Sequence, residues 1–372
     1  MFEEIIEGFR LSPAQQRLWQ QMNRYGASAF RSAVRISVRG PLDRNVLRRA
    51  WLQLANRHEV IRTTFSSAPG LDLPVQVVGV ADEPALDLAM VCGEARDGWQ
   101  VRVQEKGDLQ SEVEVVTNAM LADRRTMQNL VAELARCYEA AFINRELEDE
   151  PAVQYADFSE WQHEMLESEE AERARQLWTG NSGRENGVLR LPDEPDSWGS
   201  TGYAPQSVTV EVSREVAEQL KETGAQLDAS LEEILEAGWR ILLWRLSGET
   251  DVTVARLFDG RRVKHLKSAF GLFAKYLPVP CRLAGTYRFS KIVRQLKDSV
   301  RTIAAQQDYL TPEDSYASWI GFDFESLQDT SESNGVSFSI SQLYSCVECL
   351  KLRLSVQEAN DRLRFDLHYD PA

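Results

Sequence analysis

The sequence predicts an α/β protein built as two lobes of similar size. Three observations carry that expectation. Strand-period and helix-period segments alternate through the first half, a loop-rich stretch breaks the pattern, and the alternation then begins again. The break runs from Gly180 to Pro205, with Gly180, Gly183 and Gly187 followed by Pro192, Pro195 and Gly199. The expected division is therefore a lobe over residues 1–179, a linker over 180–205 and a second lobe over 206–372.

The elements follow in order. Ser32–Val38 alternates as a strand, with Val34, Ile36 and Val38 on one face. Asp43 is placed to cap a helix whose stripe is Val46, Leu47, Ala50, Trp51, Leu54 and Ala55. Strands are expected at Arg62–Ser66, Val75–Val80, Gln100–Gln104 and Glu112–Val116. A long helix over Arg125–Phe142 buries Met127, Leu130, Val131, Leu134, Tyr138 and Ala141, and Asp157–Leu166 and Ala171–Trp178 are further helices. After the break come a strand at Val208–Val212, a helix capped by Ser213, and a helix with a capping box at Ser230 and Glu233. Val252–Ala255 is a buried strand and Phe289–Gln306 a helix. Ser318–Glu325, Ser337–Ser341, Lys351–Gln357 and Arg362–Tyr369 are strands, the last two a hairpin about Ala359–Asp361. Trp51, Trp161, Trp239 and Trp244 fall on helix stripes and are expected in the core.

The 372 residues carry 42 basic and 57 acidic side chains, a formal charge of −15. That balance opposes nonspecific binding to nucleic acid, which needs clustered Lys and Arg, and opposes docking on anionic membranes. The opening MFEEIIEGFRLS carries acids where a signal peptide carries bases, and no apolar run reaches membrane-spanning length, so a cytoplasmic location is expected. Of the five cysteines only Cys346 and Cys349 form a CxxC. A single pair falls short of the tetrahedral set of a structural zinc, so no metal site is expected and the thiols read as reduced and structural.

Four segments go further than composition. LSPAQQRLW (Leu11–Trp19), RHEVIRTTF (Arg57–Phe65), YADFSEWQ (Tyr155–Gln162) and LFAKYL (Leu272–Leu277) stand in the order and spacing of motifs in the condensation domains of nonribosomal peptide synthetases. The chain resembles that superfamily across nearly its whole length. The resemblance implies two chloramphenicol-acetyltransferase-like lobes arranged in a V, with a tunnel or cleft between them. It also implies substrates delivered as thioesters on the phosphopantetheine arms of carrier proteins, with no cofactor bound by the domain itself. The sequence ends at Ala372, short of the final helix the resemblance leads one to expect.

The family's signature, His-His-x-x-x-Asp-Gly, aligns with Asn118, Ala119, Met120, Leu121, Ala122, Asp123 and Arg124. The second histidine, which orients or deprotonates the acceptor amine, falls on Ala119. A methyl group accepts no proton, and general-base assistance is worth about two to four decades in rate. The final glycine falls on Arg124, whose side chain would fill the space a glycine leaves. By the same resemblance Asp123 is expected to pair with Arg62 as a structural ion pair. Ala274, Lys275 and Tyr276 replace a Val-Asn-Thr-like segment, putting bulk and charge where a pantetheine arm passes, and Pro84–Gln110 departs from the family's pattern. None of His58, His163, His265 or His368 has motif spacing to Ala119, and each is expected to be structural or solvated. Arg261, Arg262, Lys264 and Lys267 make a basic run that reads as a solvated loop, with docking of an acidic carrier as the alternative.

Two functions follow as expectations. The first is a condensation-like domain inactive in peptide-bond formation, a platform for carrier proteins, neighbouring synthetase domains or a tailoring oxygenase, as X domains of glycopeptide synthetases are. The second is an active condensation or acyl-transfer domain that joins thioester and amine by positioning alone.

Overall fold

The computed structural model describes residues 8–67, 70–81, 98–147, 150–174, 189, 191–192, 202–309, 320–327, 331–359 and 361–371. Its first half holds helix α1 (Pro13–Tyr25), strand β1 (Arg31–Arg39), α2 (Arg44–Arg57), the hairpin β2 (Thr63–Ser66) and β3 (Val75–Val78), β4 (Gln100–Gly107), β5 (Gln110–Asn118), α3 (Arg124–Phe142) and α4 (Tyr155–Leu166). The second half holds β6 (Gln206–Val212), α5 (Arg214–Gln226), α6 (Leu231–Ser247), β7 (Asp251–Phe258), β8 (Lys275–Arg282), α7 (Phe289–Gln306), β9 (Ile320–Ser326), β10 (Ser331–Ser333), β11 (Val336–Ser345), β12 (Leu352–Ala359) and β13 (Arg362–Tyr369).

The strands sort into two large sheets. The first runs β10-β11-β1-β5-β4, every neighbour antiparallel. In β1, Val34, Ile36 and Val38 are buried while Arg31, Ala33 and Arg35 turn to the opposite face, as the period of two requires. Helices α2 and α3 cover the apolar face and complete a core with Leu47, Trp51, Leu54, Val113, Val115, Leu130, Leu134 and Phe338. The second sheet runs β6-β13-β12-β9-β7-β8 and is mixed, β9 pairing parallel to both β12 and β7. Its core gathers Trp239, Leu243, Val254, Val279, Leu296, Phe322, Val356 and Leu363.

The linear division expected from the sequence is crossed in two places. β10 and β11 lie late in the chain, yet β11 pairs with β1 and so belongs to the first sheet. Segment 269–273 likewise packs in the first core through Ala269, Phe270, Leu272 and Phe273. Three elements were not expected, α1, β8 and the short β10. Trp161 is a correction: it is 51% exposed, whereas Trp51 and Trp239 are buried. Residues 169–174 are helical, and the remainder of the expected helix Ala171–Trp178 lies outside the described residues, as do Cys92 and most of Pro84–Gln110. No helix among the described residues is long and apolar enough to cross a membrane.

Candidate functional site: a motif segment between the lobes

The turn from β5 into α3 carries the seven residues of interest, and all are buried. Asn118 Oδ1 accepts the Met120 N–H at 2.9 Å, and the Ala119 N–H reaches the Phe30 carbonyl at 3.2 Å. Ala119 has no exposed surface, and its methyl packs in the first core.

Asp123 caps α3, accepting the Thr126 N–H at 2.8 Å. Its carboxylate also takes Arg261 Nη1 and Nη2 at 2.9 and 3.0 Å, and the backbone N–H groups of Phe273 and Ala274, each at 2.9 Å. Burial alone pushes the Asp123 carboxyl up, but the Arg261 guanidinium and these donors hold it below the usual aspartate value. The pairing expected with Arg62 is thus overturned. Arg62 meets Glu59 at 3.4 Å and donates to the Gly79 carbonyl at 2.6 Å, while Arg261 fills the role across the lobes. Arg261 also stands over the Phe273 ring, 4.3 Å from its centroid. The basic run is corrected with it. Arg261 is buried, whereas Arg262, Lys264 and Lys267 are exposed, Arg262 pairing with Asp308 at 2.8 Å and Lys267 standing 3.9 Å from Asp259.

The motif segments converge here. Ser12 caps α1 with Gln15 in a capping box, and its hydroxyl meets the Tyr155 hydroxyl at 2.7 Å. Tyr155 donates to the Leu272 carbonyl at 2.6 Å, and Gln15 Nε2 donates to the Met120 carbonyl at 3.0 Å. Gly271, at φ +144°, is needed where it stands, since an added Cβ would lie 2.0 Å from the Tyr155 ring. His58 stacks on Phe270 at 3.8 Å between centroids and meets Glu133 at 2.9 Å. His163 bonds the Leu11 carbonyl at 2.8 Å, and His265 is exposed.

Arg124 leaves the first lobe and enters the second sheet. Its Nη1 lies 2.5 Å from Asp323 Oδ1 as an ion pair, and Nη2 donates to the Ser355 hydroxyl at 2.8 Å. Ser355 in turn donates to Asp323 at 2.6 Å, and the Tyr276 hydroxyl to Asp323 at 2.7 Å. Arg353 stands 3.7 Å from the same carboxylate. Burial raises the Asp323 carboxyl, yet Arg124 and Arg353 together hold it below its ordinary value. Of the expected tunnel residues, Tyr276 joins this cluster and Ala274 contributes its N–H to Asp123. Lys275 is a correction, since it puts no charge between the lobes. Its ammonium donates to the Gln307 carbonyl at 2.6 Å, and burial brings it down to about 8.

Beside this cluster the uncovered faces of the two sheets enclose a cleft of about 670 Å³, bounded by β1, β4, β5 and β11 on one side and β6 and β13 on the other. Arg124 lines it and Ala119 does not. His368 also lines it, an imidazole that sequence spacing could not connect to the site. Burial and the neighbouring Arg353 lower His368 to about 3, which leaves it neutral near pH 7 but a feeble proton acceptor. A smaller hollow at the start of α7, lined by Tyr287, Arg288 and Lys291, lies away from the motif residues. The described cysteines are buried free thiols, and no cluster of metal-ligating side chains occurs among the described residues.

The comparisons agree with this geometry. Residues 120–313, just over half of the chain, match the family model described as Condensation domain. Tyrocidine synthase 3 of Brevibacillus parabrevis is 24% identical over 320 residues, covering 82% of this chain but only 5% of that protein's length. The X-domain from teicoplanin biosynthesis superposes with a TM-score of 0.80 at 20% identity, over 100% of this chain and 91% of that one. The same X-domain is known in complex with OxyB, with a TM-score of 0.78 at 20% identity, over 100% and 89% of the two chains. The first condensation domain of the calcium-dependent antibiotic synthetase, in complex with a substrate analogue, gives 0.81 at 18% identity over 98% and 91%. The α/β architecture is thus that of condensation-domain structures, with chloramphenicol-acetyltransferase-like lobes, and the chain belongs to the condensation-domain family.

Proposed function

We propose that this domain does not form peptide bonds and serves a peptide-synthesising assembly as a docking platform. The observation that carries the reading is Arg124. Where the family motif ends in glycine, this chain places a guanidinium that crosses between the lobes to Asp323 and Ser355. A slender arm approaching the motif would have to displace a buried ion pair, and parting such a pair costs about 3–5 kcal/mol. The burial of Ala119 in the first core supports the same reading, because no side chain at that position faces the cleft. His368 offers no substitute base, its pKa of about 3 lying far from neutrality.

A platform needs only a complementary surface, typically about 800 Å² per partner. Docking of a tailoring oxygenase is supported by analogy with the X-domain that binds OxyB, and docking of carrier proteins by membership of the family. Substrates would then remain on the phosphopantetheine of those carriers, and the domain itself needs no cofactor. The test presents the chain with aminoacyl-loaded donor and acceptor carrier proteins and follows both complex formation and dipeptide by mass spectrometry. The platform reading expects carrier binding with the thioesters left intact. Dipeptide formed faster than in the mixture lacking this chain would overturn it in favour of transfer by positioning.

A further inference from the structure

Basic residues gather on one stretch of this acidic chain. The chain carries 57 acids, yet the 38 residues between Asp259 and Asp298 hold none of them and ten of the 42 bases. Several of those bases are engaged. Arg261 is buried on Asp123, Arg262 takes Asp308, Lys275 the Gln307 carbonyl and Lys297 Asp228. Arg288, Lys291 and Arg294 differ from these, and Arg301 joins them two turns later. All four are exposed, and none meets a carboxylate among the described residues. Lys291 lies over the Tyr287 ring, 3.4 Å from its centroid.

Helix α7 presents them together. Ile292, Val293, Leu296 and Ile303 bury one face in the second core. At about 100° per residue Lys291, Arg294 and Arg301 fall within about 80° of one another on the opposite face, over a rise of about 15 Å. Asp298 is the only acid of the helix. The arrangement works against the element that carries it. Cations near an N-terminus oppose the macrodipole, like charges a turn apart repel, and the first turn holds no acid to offset them. Arg288 stands at the N-cap and makes no side-chain cap bond. A hollow of about 280 Å³ opens between Arg288, Lys291 and Arg294. A local choice that weakens its own helix, offset by no contact within the chain, marks a surface shaped by something outside it.

We infer that this face of α7 docks an acidic helix of a partner protein. Charge complementarity carries the choice of occupant. Carboxylates on one face of a facing helix recur at the same intervals as these bases, so one such helix meets all of them at once. A small anion does not reach from Lys291 to Arg301, and the net charge of −15 opposes a polynucleotide or an anionic membrane. The face lies on the side of the second sheet turned from the cleft. Docking here therefore leaves the cleft free and holds whether or not the domain forms peptide bonds.

The experiment titrates the chain into a tagged helical peptide whose glutamates share one face at the intervals of Lys291, Arg294 and Arg301, followed by fluorescence anisotropy. One-to-one binding that weakens with added salt is expected. An isomeric peptide with its glutamates spread around the helix, and an oligothymidylate of equal charge, should each bind more weakly. Lys291→Gln, Arg294→Gln and Arg301→Gln combined should weaken peptide binding about tenfold, each removing one exposed ion pair. Arg173→Gln, whose side chain is 74% exposed on the first lobe, should leave it unchanged. The combined variant should melt no lower than the unaltered chain, because it loses only repulsion. A lower melt would show that the bases stabilise α7 and are not kept for a partner. Failure of the peptide to bind, equal binding of the isomer or the oligothymidylate, or a loss no greater than that of Arg173→Gln would overturn the inference.

Discussion

A single guanidinium decides what holds Asp123. Arg261 is buried and donates twice to that carboxylate, whereas Arg62 sits at the periphery with Glu59. Arg261→Ala should therefore leave a buried charge unpaired and cost about 3–5 kcal/mol in urea denaturation, while Arg62→Ala should cost about 1 kcal/mol or less. Equal costs would restore the pairing the sequence led one to expect. Sequence reasoning missed Arg261 because it stands in a run of bases, RRVKHLK, that reads as solvated. The placing of Asp323 between two phenylalanines in the strand IGFDFES was the available signal, since an acid so flanked in a buried strand demands a partner. Ala119 is the other decisive residue. Its methyl has no exposed surface, so Ala119→His must force an imidazole into a filled core. The expected result is a loss of about 1–3 kcal/mol in stability and no dipeptide from loaded carriers. A gain in dipeptide would show that the passage is open to position 119.

At the scale of elements, capping chemistry was legible and strand partnership was not. Asp43 and Ser230 cap α2 and α6 as their positions predict, and α7 spans the expected Phe289–Gln306. Helix α1 carries an equally clear start in Ser12, Pro13 and Gln15, but its run of glutamines, one of them buried, interrupts the apolar stripe. Strand β8 hides behind Pro278 and Pro280, which its place at the sheet edge makes tolerable. Strand β13 carries the pH-sensitive group. His368 is lowered to about 3, so the folded state refuses a proton that the unfolded chain accepts near 6.5. Stability should fall as pH drops from about 6.5 towards 3. His368→Gln should flatten that slope when denaturation midpoints at pH 7 and pH 5 are compared. A slope identical to that of the unaltered chain would remove His368 from the account. The loss that remains in the variant below about pH 4 includes that of Asp123 and Asp323, whose lowered values make their contribution vanish in acid.

At the scale of the whole molecule, the two α/β lobes were legible as an alternation on either side of a loop-rich break. Their joining was not, because periodicity says which face of a strand is buried and nothing of its neighbour. The joint is polar and extensive. β11 crosses to pair with β1, Arg353 donates to the Ser345 carbonyl at 2.7 Å, and Gln357 to the Leu343 carbonyl at 2.9 Å. Arg125 meets Glu325 at 3.0 Å beside the Arg124–Asp323 pair. The turn from β5 into α3 is thereby part of the seam between the lobes. A double-mutant cycle over Arg124→Met and Asp323→Ala, read by urea denaturation, tests this most directly. The account predicts that the two changes together cost less than the sum of each alone, by about 1–3 kcal/mol. Costs that add to within about 0.5 kcal/mol would mean that no direct pairing spans the lobes at Arg124.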